Sequence, residues 1–210
     1  MFRLCLVFAA SCLLIAAHAA EPGSNAYETP QQAFNEAIRQ AIGGPAKADL
    51  GHGVTVRPAE GQLLIPLPQA QTLLRLTRRA VPADLAGLLL DGNGMDMPGL
   101  IHFVPAGFVN GEEITPWRPE DILASLNDSL KTVNAQRRQQ NLRPLWAREW
   151  IRPPHYDAQH HQLSWAALIL PDDAPHESDG TVVYHAVALG REGYVDLSVV
   201  ASVEKADDVA

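Results

Sequence analysis

The chain has 210 residues, 47% of them apolar, and a formal charge of -8 from 24 acidic and 16 basic side chains. That composition is globular, and the acidic balance argues against bulk nucleic-acid binding. Both cysteines, Cys5 and Cys12, lie in the first twelve residues, so a chain processed beyond them has no disulfide, thiolate nucleophile or zinc-thiolate site.

Arg3 precedes an apolar run of fourteen residues, Leu4 to Ala17, and Ala17-His18-Ala19-Ala20 supplies a small-x-small cleavage pattern. Residues 1–19 therefore read as a secretory signal peptide, too short for a membrane span of about 20 residues. Lipidation at Cys12 is disfavoured, because Ala9-Ala10-Ser11 lacks a large aliphatic residue and the apolar run continues past the cysteine. The expected product is an exported, periplasmic protein with no transmembrane helix in the mature chain, with membrane association left open.

Residues 20–48 read as a polar linker and a short helix, Gln31 to Ile42, stopped by Gly43-Gly44-Pro45. Val54 and Val56 alternate with polar neighbours, and Gln62 to Pro66 forms a second short strand after a turn. A helix is expected over about 69–79 and a strand over 100–104. Asp91-Gly92-Asn93-Gly94 is turn chemistry. With Asp96 where glycine is required and His102 where a bidentate Glu belongs, it does not make a calcium loop.

The clearest helix runs from Pro119 to Gln140. Pro119 suits the first helical position, Glu120 and Asp121 suit the positive end of the dipole, and Ile122, Leu126, Leu130 and Val133 form one apolar stripe. Four strands follow, over about 146–155, 161–170, 181–189 and 194–201, with short links that predict an antiparallel meander. The fold class is α+β: an antiparallel sheet packed against one long amphipathic helix, with a small N-terminal β/α portion. A single domain is expected over 49–202 and a polar tail over 203–210.

Three of the four tryptophans lie between Trp146 and Trp165, a span of twenty residues that also holds Pro153-Pro154-His155-Tyr156-Asp157 and His160-His161. A metal site here would draw on His155, Asp157, His160 and His161. However, Asp157 sits where a hairpin turn is expected and shapes it by bonding backbone N–H groups. A triad of Ser164, His161 or His155, and Asp157 would put its serine mid-strand instead of on a sharp turn. No catalytic residue, metal ligand set or cofactor is assigned. Leu163, Trp165, Ala167 and Ile169 read as the core face of a strand, with Trp146 and Trp150 sharing one face of its neighbour. Arg137, Arg138, Arg143, Arg148 and Arg152 form a basic group opposed only by Glu149, suited to an anionic ligand or lipid, or to helix-end solvation.

Gly107-Phe108-Val109 followed by Glu112-Glu113, then a helix with Leu123 and Asn134, then Pro153-Pro154-His155-Tyr156-Asp157 with Leu163-x-Trp165-Ala166, resembles domain-of-unknown-function family 2167, predicted bacterial membrane-anchored proteins. The resemblance covers about 49–202. It implies an exported protein; members typically carry hydrophobic membrane segments near the C-terminus, and no catalytic residues carry over. This chain has two glutamates after Gly107 and no apolar anchor before Ala210.

The leading expectation is an exported cell-envelope binding or assembly module, with enzymatic activity left open, and with Trp150, Arg152, His155, Tyr156 and Asp157 binding a ligand or partner. The partner would be an envelope protein or anionic lipid and not nucleic acid. The alternative is an envelope hydrolase or metal-dependent enzyme using the His155/Asp157 region.

Overall fold

The computed structural model describes residues 29–77, 79–91, 94–95, 97–111 and 117–209, with side chains to 206. The expected signal segment, part of the expected turn at 91–96 and Glu112-Glu113 lie outside them. The chain groups into two compact units, one ending at Val104 and the other running from Pro105 to Ala210.

In the first unit, helix α1 (Pro30–Gln40) starts at a capping box: Thr29 accepts from the Gln32 backbone N–H while the Gln32 side chain accepts from that of Thr29. Strands β1 (Ile42–Gly43), β4 (Leu63–Pro66), β5 (Leu85–Leu90) and β6 (Gly99–Val104) pair antiparallel in that order. A hairpin, β2 (Ala48–Gly51) and β3 (Val54–Val56), stands apart from that sheet. Helix α2 (Leu67–Leu76) packs with α1 over Ile65, Leu85, Leu88 and Leu90. Strand β5 lies outside every expected element. Its run Leu85-Ala86-Gly87-Leu88-Leu89-Leu90 lacks the alternation that marks a half-buried strand, because it is buried almost throughout.

The second unit is a four-stranded antiparallel meander. Strands β7 (Leu145–Asp157), β8 (Gln162–Pro171), β9 (Thr181–Leu189) and β10 (Tyr194–Ser202) follow chain order across the sheet. Helix α3 (Pro119–Gln139) covers one face, with Leu130 and Val133 buried against Ala147, Ala167, Ile169 and Val183. The opposite face, formed by Ala166, Leu168 and Val182, is covered by the 3-10 segment Val203–Val209 through Val203 and Ala206. The expected polar tail is thus a packed cap, pinned where the Tyr184 hydroxyl donates to the Ala206 carbonyl at 2.5 Å. Its charged residues concealed this role, since the apolar packing among the described residues comes from Val203 and Ala206.

Helix α3 holds β7 through two asparagines seven residues apart, two turns along one face. Asn134 donates to the Leu145 carbonyl and accepts from the Leu145 N–H, both at 2.8 Å. Asn127 does the same at Ala147, at 2.9 Å each way. These amides satisfy backbone groups that β7, outermost in this unit's meander, would otherwise leave unpaired. Strand β7 is also interrupted by register shifts near Arg148, Ile151 and Pro153-Pro154. The first has a consequence for the tryptophans. Trp146 pairs with Leu170 and Trp150 with Ala167, so the two lie on opposite faces instead of sharing one. One extra residue in a bulge inverts the alternation beyond it.

Candidate functional site

The apolar stripe of α3 is unevenly used. Leu130 and Val133, toward its C-terminal half, are buried against the sheet, whereas Ile122 and Leu126, near its start, are only half-buried. Under this first half lies a narrow cleft, partly open to solvent, lined by Trp117, Ile122, Ser125 and Leu126 on one side and Pro154, Leu163 and Trp165 on the other. Ser125 is the one lining residue with a polar side chain besides the indole N–H groups. Trp150 braces the helix start, its indole Nε1–H donating to the Pro119 carbonyl at 3.2 Å. Arg118 and Asp121 form an exposed ion pair there at 2.8 Å, and the guanidinium holds the Asp121 carboxyl below its ordinary value.

Trp165 forms the floor and is 5% exposed. Beside it on β9 the His185 imidazole stacks against the indole, centroids 4.6 Å apart and planes 13° from parallel. His185 Nδ1 lies 3.0 Å from each carboxylate oxygen of Asp196. Ser198, also buried, is the cross-strand partner of His185. Neither His185, Asp196, Ser198 nor Trp117 stood out in the sequence. His185 and Asp196 are eleven residues apart on separate strands, and only the β9–β10 register brings them to one face.

The five expected binding residues divide between the two faces of β7. Trp150 and Tyr156 lie on the α3 face, their partners Ala167 and Leu163 being on the Trp165 side of β8. Arg152, His155 and Asp157 pair with Ala166, Ser164 and Gln162 on the other side. Arg152 extends over the Tyr184 ring, 6.0 Å from its centroid. Tyr156 packs against the Gly111 backbone, where a Cβ would overlap its hydroxyl, and that hydroxyl is 3.3 Å from His161 Nδ1. An arrangement joining Trp150, Arg152 and Tyr156 in one groove is therefore not formed.

Asp157 is committed to its turn. One oxygen accepts from the backbone N–H groups of Gln159 and His160, at 2.8 and 3.2 Å, and the other meets His160 Nδ1 at 2.6 Å. The His160 hydrogen bond, aided by the two backbone donors, holds the carboxyl below its usual range. Among the described residues no three His, Cys, Asp or Glu side chains are grouped to hold a metal ion. The basic group has more acidic company than Glu149, because Arg143 pairs with Asp173 at 3.3 Å and Arg148 with Asp172 at 3.7 Å. Arg137 donates to the Arg143 carbonyl, and burial keeps its guanidinium below the ordinary arginine value.

The family model described as "Protein of unknown function (DUF2167)" matches residues 44–210, which include every part of this site. The chain belongs to that family. Within it, the quoted Asn134 and Leu163-x-Trp165 positions acquire physical places: a strand clamp and the cleft floor. No curated protein matches the sequence. Among solved structures, the solution structure of cyanobacterial PsbP (CyanoP) from Synechocystis sp. PCC 6803 is similar at 12% identity and a TM-score of 0.41, over 79% of this chain and 92% of that one. No described helix is long and apolar enough to cross a membrane.

Proposed function

We propose that this member of the family is an exported cell-envelope binding or assembly module that receives an apolar group in the cleft between α3 and β8. The observation that carries the reading is the lining itself. A cleft walled by Trp117, Ile122, Leu126, Leu163 and Trp165 offers apolar area and little acid–base chemistry. Aromatic side chains of this kind anchor partners at interface centres. Export to the periplasm is supported by the Arg3 to Ala20 pattern, and the exposed arginines leave room for association with the membrane surface. Pairing of Arg143 and Arg148 with Asp173 and Asp172 weakens the anionic-lipid branch and favours a protein partner. The engagement of Asp157 in its own turn weighs against a hydrolase or metal enzyme built on His155 and Asp157.

The test is site-specific photocrosslinking in intact cells. A photoreactive residue at Leu126 should give a discrete adduct, and one at the exposed Lys131 should not. Equal adducts at both positions, or none at Leu126, would contradict the reading.

A further inference from the structure

The cleft floor is coupled to a titratable group. Trp165 on β8, His185 on β9 and Ser198 on β10 are successive partners in register, and Asp196 projects from the same face of β10 two residues before Ser198. The side chains of His185 and Asp196 are 5% and 3% exposed. With Nδ1 lying 3.0 Å from both oxygens of an acceptor-only carboxylate, the ring keeps a proton on Nδ1. Charge is then gained or lost at Nε2. Histidine is the side chain whose unperturbed chemistry makes that change between about pH 5 and 8.

The two charge states act differently on the floor. An imidazolium completes an ion pair with Asp196 and lies as a cation against the face of an indole, the best aromatic acceptor for such contact. A neutral imidazole keeps the stack and the Nδ1 hydrogen bond but loses the cation–π attraction. Resting on the cleft reading above, we propose that protonation of His185 fixes Trp165 in its stacked position and so tightens the cleft for an apolar group on the acid side of neutrality.

Among the described residues of this unit, the titratable neighbours on this sheet face are few, and the pair of buried His102 with Asp84 in the first unit is a second group whose resonances the titration must follow. On its own face of β10 the other titratable side chain besides Asp196 is the Tyr194 phenol, also buried. Trp165, Leu163 and Ala167 of β8 and Val183 and Val187 of β9 carry no charge. On α3, Glu120, Asp121, Asp128, Lys131 and Arg138 are exposed, and Arg137 is turned to the Arg143 carbonyl. Farther along the same face Tyr156 meets His161 at the sheet end, so His161 is the control that must be held constant.

The experiment uses the protein from Ala20 onward and N-phenyl-1-naphthylamine, an apolar probe whose diarylamine is too weak a base to take a proton in the range where an imidazole titrates, about pH 5 to 8. Side-chain ¹⁵N resonances of His185 are followed in the wild type from about pH 8 to about pH 5, and the probe's dissociation constant is measured at both ends. His185 should gain a proton, the Trp165 indole N–H resonance should move with it, and the probe should bind at least about three-fold tighter in acid, the scale of one cation–π contact. His185→Gln should flatten the affinity profile, and His161→Gln should leave it intact. Equal affinity at both pH values, with the probe still contacting Trp165, overturns the proposal and leaves the cleft reading standing. A probe that contacts Trp165 at neither value overturns both. The wild-type titration decides the matter even if His185→Gln fails to fold, because a His185 resonance that never moves is itself a refutation.

Discussion

The Trp165 indole stacks on the cross-strand His185 imidazole with ring centroids 4.6 Å apart, so the floor of an apolar cleft stands directly beside a buried His–Asp pair. Removing the indole should therefore do two things. It would open a cavity in the core of the second unit and expose a polar pair to the cleft. Trp165→Ala is expected to cost about 3 to 5 kcal/mol, the range for truncating a buried large aromatic. His160→Ala, at an exposed turn position, should change stability little. Urea unfolding of both variants checks the contrast, and equal small effects would place Trp165 on the surface.

The clamp between α3 and β7 gives a second expectation. Asn134 is fully buried and satisfies both backbone groups of Leu145. Asn134→Ala removes both bonds and leaves a donor and an acceptor to find new partners, a loss of about 1 to 3 kcal/mol for each group left unsatisfied. Hydrogen exchange should show faster opening at Leu145 than at β9 amides. Unchanged exchange at Leu145 would mean water replaces the amide without cost.

Gly111 and Tyr156 form a testable pair, since a Cβ at Gly111 overlaps the Tyr156 hydroxyl. Gly111→Ala should destabilise by about 1 to 3 kcal/mol, as overpacking does. The same substitution in a Tyr156→Ala background should be nearly neutral. A double-mutant cycle on thermal unfolding measures the coupling, and additivity would show that the two residues do not touch.

Asp157 gives a pH dependence of known sign. Its carboxyl is held below the ordinary 3.8 chiefly by His160, so near that pH the folded state binds fewer protons than the unfolded one. The resulting stabilisation is present above the unfolded value and fades as pH falls through the folded one. Carboxyl-carbon NMR should place Asp157 below 3.8 in the wild type and closer to it in His160→Ala. A midpoint unmoved by that substitution would remove the hydrogen bond as the cause.

Much of the α+β architecture was legible because its periodicities are strong. The Pro119 helix, with proline at its first position and its acidic first turn, ends within a residue of its expected limit. The four C-terminal strands fall within two residues of theirs. Strand β5 was not legible because burial on both faces erases alternation. The opposed faces of Trp146 and Trp150 were hidden for another reason. A bulge at Arg148 depends on pairing with β8, which no local pattern encodes. The site was legible only in part. Trp165 was read as core and does line the core, but its second role as cleft floor depends on where α3 lifts from the sheet. The His185–Asp196 pair arises from strand register alone, and Asn127 and Asn134 look like ordinary polar helix residues until β7 is placed beside them.

The most direct measurement is of what an apolar molecule touches. In protein with labelled methyl groups, N-phenyl-1-naphthylamine should give intermolecular NOEs to the Trp165 ring and to the Leu126 and Leu163 methyls, the walls and floor of one cleft. NOEs confined to the exposed side chains of Phe108 and Ile151, or none at all, would contradict the account.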